Sequence, residues 1–217
     1  MLSFVNRFFK KKYSSEDLKY FELRDINISW WPTLDLNYWG ITKCGNTKIR
    51  SHLHTLSTGG EYQISSDFER ENLVFLTREK AFANGARNFT VTRHPLLRFV
   101  SVWKDLCRTR PKRGVKAGLD PSWSLLQLAN WVKDMPDEVV DVHFKSQSWF
   151  IPKQLDVEID LNNLDRDWPF EIAAPTRVRV RPSNEVGHEI DDETRRVVLQ
   201  RYAGDFDRFG YSEDPSD

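Results

Sequence analysis

Hydrophobic and polar positions in the first half of the chain follow the patterns of a strand, a turn and a helix. The aromatic-rich segment Ile28–Ile41 is typical of a strand, and a turn is expected at Lys43–Asn46. A helix should begin at Thr47 and continue to about Leu56, because the glycine pair at 59–60 ends the helical pattern. This half therefore predicts a strand that leads through a tight turn into a helix.

The second half of the chain repeats this alternation of apolar strands and amphipathic helices. A strand is expected at Phe89–Thr92, and Pro95 opens a helix with an apolar stripe at Leu96, Val100 and Trp103. Such alternation is typical of an α/β fold, so we expect a single domain over residues 1–217 with a central, mainly parallel sheet flanked by helices. The other expected elements are a short helix or turn at 14–23, strands at 73–76 and 177–181, and helices at 121–135, 143–150 and 191–202.

Composition indicates a folded, globular protein. Of its 217 residues, 39% are hydrophobic and 29% are charged, which is enough apolar material for one core. The 32 basic and 32 acidic residues cancel, which argues against nucleic-acid binding through bulk charge. Two cysteines, Cys44 and Cys107, are too few for a disulfide framework and favour a reducing compartment.

The sequence also allows a prediction of the cellular compartment. It contains no run of the roughly 20 apolar residues that a membrane-spanning helix needs, and its start lacks the charge order of a signal peptide. We therefore expect a cytoplasmic protein without a transmembrane segment. Within residues 1–13, the apolar side chains of Leu2, Val5, Phe8 and Phe9 stand beside three lysines. Three interpretations of this stretch stay open: a flexible N-terminal arm, a helix packed on the domain, and a short amphipathic anchor.

The segment from Phe89 to Ser101 predicts an anion-binding corner between a strand and a helix. Arg93 stands at the strand tip, and Pro95 suits the first helical position because it has no N–H group to leave unpaired. Arg98 and Ser101 share one helix face. An arginine, a hydroxyl group and the amides of a helix start can converge on one phosphate. A plain salt bridge of Arg93 at the sheet end is an equal alternative.

Residues 42–50 predict a second corner of the same kind. Lys43, Lys48 and Arg50 crowd the helix start, where cations oppose the positive end of the helix dipole. A bound polyanion would remove this conflict, and a basic turn that arose by chance is the alternative. The loop lacks the Walker A pattern G-x-x-x-x-G-K-S/T, so an ATPase or kinase assignment loses its main support.

Taken in this order, the two corners resemble motifs of the sulfotransferase superfamily, specifically of its carbohydrate sulfotransferase branch. Segment 43–50 (K-C-G-N-T-K-I-R) is similar to the loop P-K-x-G-x-T/S-x-x-K/R. Segment 93–101 (R-H-P-L-L-R-F-V-S) is similar to R-D/H-P-x-x-R-L/F-V-S. Residues 141–147 resemble D-x-H-W/F-x-x-Q, and residues 202–211 resemble Y-x-x-D-F/Y-x-x-F-G-Y. The first loop departs from the family pattern at Thr42, Asn46 and Ile49.

The resemblance implies a P-loop-like fold and a soluble bacterial or viral member of the family. It implies that the donor is 3′-phosphoadenosine 5′-phosphosulfate (PAPS), with no metal, and that the acceptor is a hydroxyl or amine, on a carbohydrate or another molecule. Lys43 would act on the leaving phosphate oxygen, and Arg93 and Ser101 would hold the 3′-phosphate. The expected contacts to the 5′-phosphosulfate come from Lys43, Cys44, Gly45, Asn46, Thr47, Lys48 and Arg50.

Sulfuryl transfer to a hydroxyl group needs a base that is available near neutral pH, and histidine is the usual choice. His143 is the first candidate because it lies in a family-like segment. His54 is the second, because it shares a helical stripe with Thr47. The resemblance also allows a carboxylate base. The acidic candidates are Glu61, Asp67, Glu69 and Glu71.

Two cation-rich segments suit an acidic acceptor. Residues 110–118 lack apolar periodicity and are expected to form a mobile basic loop. In the expected strand at 177–181, Arg177, Arg179 and Arg181 share one face and are candidate acceptor-binding residues. Solvated surface charge is an equally good explanation of both segments.

Three functions follow from these observations. The leading one is a sulfotransferase whose partners are a nucleotide sulfate donor and a carbohydrate or other hydroxyl acceptor. The second is a non-catalytic module of the same fold that binds anionic glycans or nucleotides. The third is a nucleotide kinase, which requires Mg²⁺ carboxylates that the sequence does not place beside either loop. The sequence leaves the oligomeric state open.

Overall fold

A five-stranded mixed sheet forms the centre of the fold. The computed structural model describes residues 27–175 and 190–215, and its strands are β1 (Asn27–Trp31), β2 (Leu36–Gly40), β3 (Val74–Leu76), β4 (Arg87–Thr92) and β5 (Val157–Asp160). They lie in the order β3-β1-β2-β4-β5. β1 pairs antiparallel with β2 and β3, whereas the pairs β2–β4 and β4–β5 are parallel. Four strands thus run in one direction, which confirms the expected mainly parallel α/β sheet.

Helices connect and flank these strands. They are α1 (Asn46–Thr58), α2 (Ser66–Asn72), α3 (Arg78–Ala83), α4 (Pro95–Trp103), α5 (Pro111–Lys116), α6 (Leu125–Val132), α7 (Gln147–Phe150), α8 (Asp192–Arg201) and α9 (Ala203–Phe209). One π-helical segment, Lys104–Thr109, extends α4. In the part of the chain that the structure describes, no helix combines the length and the apolar character needed to cross a membrane.

Local sequence signals explain where several helices begin and end. Pro95 occupies the first position of α4, as expected from its missing N–H group. Gly59 ends α1 in the left-handed conformation, with φ of 72°. Asp191 caps α8 by accepting a hydrogen bond from the Thr194 amide. These helix ends were predicted because their signals lie within a few residues of each other.

Both faces of the sheet are covered. Tyr38 lies on one face and belongs to the same buried cluster as Leu53 of α1. Trp39 follows Tyr38 in the strand and therefore points to the other face, where it clusters with Phe150 of α7. Each such fully buried large side chain contributes about 2 kcal/mol of hydrophobic free energy. A third cluster joins α4, α6 and α8 through Val100, Leu128 and Val198.

Several expected elements differ in extent from the observed ones. The single strand expected at Ile28–Ile41 is a pair of antiparallel strands, because Pro32 begins a 3₁₀ turn and Asp35 turns the chain with φ of 55°. The helix expected at 143–150 spans only Gln147–Phe150. Strand β5 was not expected, because its short segment carries acidic residues at every second position.

The prediction of a loop at 110–118 is wrong, because helix α5 occupies residues Pro111–Lys116. Gly114 is buried, and a Cβ atom there would lie 2.2 Å from the Leu106 carbonyl oxygen. The helix is therefore docked backbone to backbone, and a contact of this kind leaves no apolar periodicity in the sequence. The expected arm at 1–13, the element at 14–23 and the strand at 177–181 lie outside the described residues.

Candidate functional site

The two predicted corners face each other at one edge of the sheet. β2 and β4 are parallel neighbours, with Tyr38 opposite Phe89 and Trp39 opposite Thr90. The segments that follow them therefore leave the same edge, as ligand-binding loops do in open α/β sheets. The Arg93 Nη1 atom donates a hydrogen bond to the Lys43 carbonyl oxygen at 3.4 Å. The two corners form one site.

An open cleft of about 580 Å³ lies at this edge. Its lining includes every residue predicted to bind the donor except Cys44, and it also includes His143. Among the described residues, six cationic side chains and one carboxylate, Glu69, line it, so the cleft attracts anions. The residues predicted to bind the donor that line it are Lys43, Gly45, Asn46, Thr47, Lys48, Arg50, Arg93 and Ser101.

The predicted phosphate loop, residues 42–46, turns sharply into α1. Lys43 and Gly45 both have positive φ, of 66° and 81°. A Cβ atom at Gly45 would lie 2.9 Å from Leu161 Cδ1. The amides of Lys48 and Ile49 both donate to the Gly45 carbonyl. The amides before them precede the intrahelical ladder and can bind an anion, and the first turn of α1 contains no acidic residue.

Cys44 does not reach the cleft, contrary to the prediction. Its thiol is buried and lies 3.1 Å from Gln147 Oε1, and its amide donates to the Ile41 carbonyl. Burial raises the pKa of the Cys44 thiol to about 12. Adjacent residues of a tight turn point in different directions, which is why this side chain faces the core while Lys43 faces the cleft.

Arg93 carries a feature expected of an anion ligand. Its side chain is largely buried, and burial lowers the pKa of the guanidinium. Within the described part of the chain, its Nε atom has no hydrogen-bond partner. A buried and incompletely paired guanidinium is costly without an anion, so this residue fits a phosphate group. Ser101 of α4 lines the same cleft.

Gln147 holds the backbone of Arg93 in place. Its Oε1 atom accepts a hydrogen bond from the Arg93 amide at 2.9 Å, and its Nε2 atom donates to the Arg93 carbonyl at 2.8 Å. The amides of Gln147 and Ser148 donate to the Asp205 carboxylate, which secures the start of α7. Because the Cys44 thiol also donates to Oε1, one buried side chain contacts both corners.

Arg98 joins the phosphate loop to the segment that carries His143. Its side chain is 2% exposed and donates to the carbonyl oxygens of Thr42 and Lys145, at 2.9 and 2.8 Å. It also donates to the His143 carbonyl at 3.3 Å. This arginine points away from the cleft and acts as a structural clamp.

His143 lines the cleft and has a carboxylate partner. Its Nδ1 atom lies 2.6 Å from Asp141 Oδ1, and its amide donates to the same oxygen. Burial alone would raise the pKa of Asp141, but the hydrogen bonds and charge of His143 outweigh it and lower that pKa. The ionised Asp141 favours a proton on Nδ1, which leaves Nε2 as a proton acceptor.

His54 is not placed in the cleft, so the expectation based on its helical stripe is wrong. Its ring is buried against Trp31, Tyr62 and Phe68. The segment after α1 folds back over this helix and covers the C-terminal half of the stripe, while Thr47 at the N-terminal end stays exposed. Residues on one face of a helix can thus line a cleft at one end of the helix and belong to the core at the other.

Glu69 alone among the four acidic candidates lines the cleft. It accepts a hydrogen bond from Arg50 Nη1 at 3.1 Å and another from the Tyr62 hydroxyl. Arg50 is 4% exposed, and its Nε and Nη2 atoms have no partner among the described residues. Arg50 is therefore a second buried guanidinium with donors to offer an anion.

Asp105 is a functional candidate that the sequence analysis did not identify. It is buried in the π-helical segment, and its Oδ2 atom lies 3.0 Å from Lys43 Nζ. Its position four residues after Ser101, on the same helix face, was the available signal. Arg110 and Arg113 of the supposed loop also line the cleft, whereas Arg177, Arg179 and Arg181 lie outside the described residues.

Comparison with known proteins agrees with the resemblance of the motifs. The chain matches the family described as "Sulfotransferase family" over residues 30–212. This range contains both corners, the segment 141–147 and the segment 202–211. Comparisons with curated proteins and with solved structures gave no match.

Proposed function

The chain belongs to the sulfotransferase family, and from this premise we propose that it transfers the sulfuryl group of PAPS to a hydroxyl group of a carbohydrate. The observation that carries the proposal is the joint lining of one cationic cleft by both anion-binding corners. A nucleotide with anionic groups at its 3′ and 5′ positions needs two such corners within reach of each other. The carbohydrate acceptor is supported by the motif resemblance of the segments 141–147 and 202–211.

Each corner has a separate role towards the donor. In the proposal, the amides at the start of α1 and the Thr47 hydroxyl bind the 5′-phosphosulfate. The Arg93 guanidinium and the Ser101 hydroxyl bind the 3′-phosphate. These residues hold the donor with its sulfuryl group towards the open side of the cleft, which supplies the positioning that such a transfer needs.

Lys43 is the proposed catalytic cation. During transfer the bond between sulfur and the bridging phosphate oxygen breaks, and negative charge develops on that oxygen. The Lys43 ammonium stabilises this charge from the phosphate loop. The positive φ of Lys43 costs about 1 kcal/mol, and such strain is a recurrent feature of functional positions.

His143 is the proposed base. It accepts the proton of the acceptor hydroxyl as that oxygen bonds to sulfur, and Asp141 stabilises the imidazolium that forms. Glu69 is a weaker candidate, because Arg50 and Tyr62 already donate to its carboxylate. A charge-paired carboxylate is a poor proton acceptor.

Nucleotide binding gives the first test. Adenosine 3′,5′-bisphosphate, the product that PAPS leaves, should raise the melting temperature of the wild-type chain, because it binds only the folded state. Arg93→Ala should abolish this shift. The control Arg166→Ala, at an exposed arginine that does not line the cleft, should retain it. A wild-type chain that shows no shift at saturating bisphosphate would contradict the proposal.

A further inference from the structure

Lys43, which lines the cleft, forms an ion pair with Asp105, which is buried behind the lining. The Lys43 Nζ atom lies 3.0 Å from Asp105 Oδ2, and the side chains are 23% and 8% exposed. Asp105 also binds the guanidinium of Arg110, whose Nε atom donates to Oδ1 at 2.6 Å and whose Nη2 atom donates to Oδ2. One carboxylate thus neutralises two of the cations that the cleft offers to an anion.

Asp105 is held more firmly than Lys43. The fork of Arg110 contacts both carboxylate oxygens, and the Arg110 amide donates to the Asp105 carbonyl at 2.7 Å. Lys43 makes a single ion-pair contact through a flexible four-carbon side chain. An anion that enters the cleft therefore competes for Lys43 and leaves the pair of Asp105 and Arg110 in place.

Asp105 stays charged while this competition takes place. Burial would raise the pKa of its carboxyl group, but hydrogen bonds and charge from Arg110 and Lys43 outweigh burial and hold the pKa at about 2. A fixed negative charge therefore lies 3.0 Å from the ammonium of Lys43, the cation that a phosphosulfate needs. This charge opposes a bound anion across a short distance in a partly desolvated site.

We propose that Asp105 is the resident counter-anion of the cleft: it holds Lys43 when no nucleotide is bound, yields it to the donor, and takes it back as the bisphosphate product leaves. Asp105 is thus a positioning residue that lowers nucleotide affinity and speeds product release. This inference rests on the proposed function, because that function defines the nucleotide that competes with Asp105.

The first experiment measures nucleotide binding to the full chain. Asp105→Asn keeps the shape of the side chain and removes its charge, so adenosine 3′,5′-bisphosphate should bind about tenfold more tightly. Most of the change should appear as slower dissociation in stopped-flow measurements. The control Asp167→Asn removes the partner of an exposed arginine that does not line the cleft and should leave both quantities unchanged.

A paired measurement tests whether Asp105 acts through Lys43. In a Lys43→Met background, Asp105→Asn should change the bisphosphate affinity much less than in the wild-type background. An equal gain in bisphosphate affinity in both backgrounds would show that Asp105 acts by general charge repulsion and not through Lys43. That result would overturn the inference. An unchanged or weaker affinity in Asp105→Asn itself would overturn the inference while the proposed function stands.

A third measurement needs no nucleotide. In the wild-type chain without ligand, reductive methylation followed by mass spectrometry should modify Lys43 several-fold more slowly than the exposed Lys48 of the same corner. Adding Asp105→Asn should raise the rate at Lys43 and leave that at Lys48 unchanged. Equal rates for the two lysines would overturn the inference. If the wild-type chain binds no bisphosphate, that result contradicts both the proposed function and the inference about Asp105.

Discussion

The Arg93 guanidinium donates a hydrogen bond to the Lys43 carbonyl oxygen, although the two residues are 50 positions apart in the chain. Each residue follows the end of a strand, and the two strands are parallel neighbours. Each also precedes a helix start. This contact brings the two corners predicted to bind anions into one cleft, and the predictions below depend on it.

Lys43→Met should separate nucleotide binding from chemistry. The variant removes the ammonium proposed to stabilise the leaving oxygen, so kcat should fall by at least about 100-fold. The bisphosphate should still raise the melting temperature, because the α1 amides, Arg93 and Ser101 remain. The measurement is sulfuryl transfer from radiolabelled PAPS to a panel of carbohydrates. A wild-type chain that binds the nucleotide but transfers nothing to any acceptor would favour the non-catalytic module.

His143→Gln should lower kcat by about 100-fold or more, because the acceptor proton then has no base. Asp141→Asn should cause a smaller loss of kcat, because the imidazolium that forms during transfer loses its neighbouring charge. Steady-state sulfuryl transfer by the two variants and the wild-type chain measures both effects. His54→Gln is the matched control, since His54 is outside the cleft, and a loss of turnover in that variant would contradict the assignment of His143.

Gln147→Leu should weaken the binding of the bisphosphate. The change leaves the Arg93 amide and carbonyl without their side-chain partner in a buried position, at a cost of about 1–3 kcal/mol for each group. The melting temperature should fall, and the bisphosphate affinity of the remaining folded protein should fall about tenfold. Gln154→Leu, at an exposed glutamine, is the control for the loss of an amide. Unchanged affinity would show that the Gln147 clamp does not control Arg93.

Gly45→Ala should disturb the phosphate loop. A side chain at φ of 81° is strained by about 1 kcal/mol, and its Cβ atom would also press on Leu161. Both stability and nucleotide binding should decrease. Gly59→Ala is the matched control for backbone strain, because Gly59 has a similar φ of 72° but open space around it. It should cost similar stability without loss of nucleotide binding, as thermal unfolding with and without bisphosphate will show.

Asp105 should make the folded protein sensitive to acid. Its pKa is about 2 in the folded chain and 3.8 as its ordinary value, so the ionised form favours folding. The contribution is fully present above about pH 5 and is lost as the pH falls towards 2. Urea unfolding at several pH values should therefore show a smaller stability loss between pH 5 and pH 3 in Asp105→Asn than in wild type. Parallel curves for the two proteins would contradict this assignment.

The sequence predicted the elements whose signals are local in the chain and missed those that depend on contacts between distant segments. The starts of α1, α4 and α8 and the end of α1 depend on proline, glycine and capping residues within one or two turns, and the sequence predicted them. Helix α5 was missed because it docks through Gly114 and backbone atoms. Strand β5 was missed because four residues with alternating acids show little apolar signal.

The sequence by itself determined the two corners, since the charges, the glycine and the proline that define each one are neighbours in the chain. The tertiary structure alone decided which histidine faces the cleft, because the segment after α1 covers His54 while Arg98 holds the His143 segment beside the phosphate loop. It also decided that Lys43 meets Asp105, 62 positions away. Contacts between distant segments depend on how whole elements pack, and no local pattern records that packing.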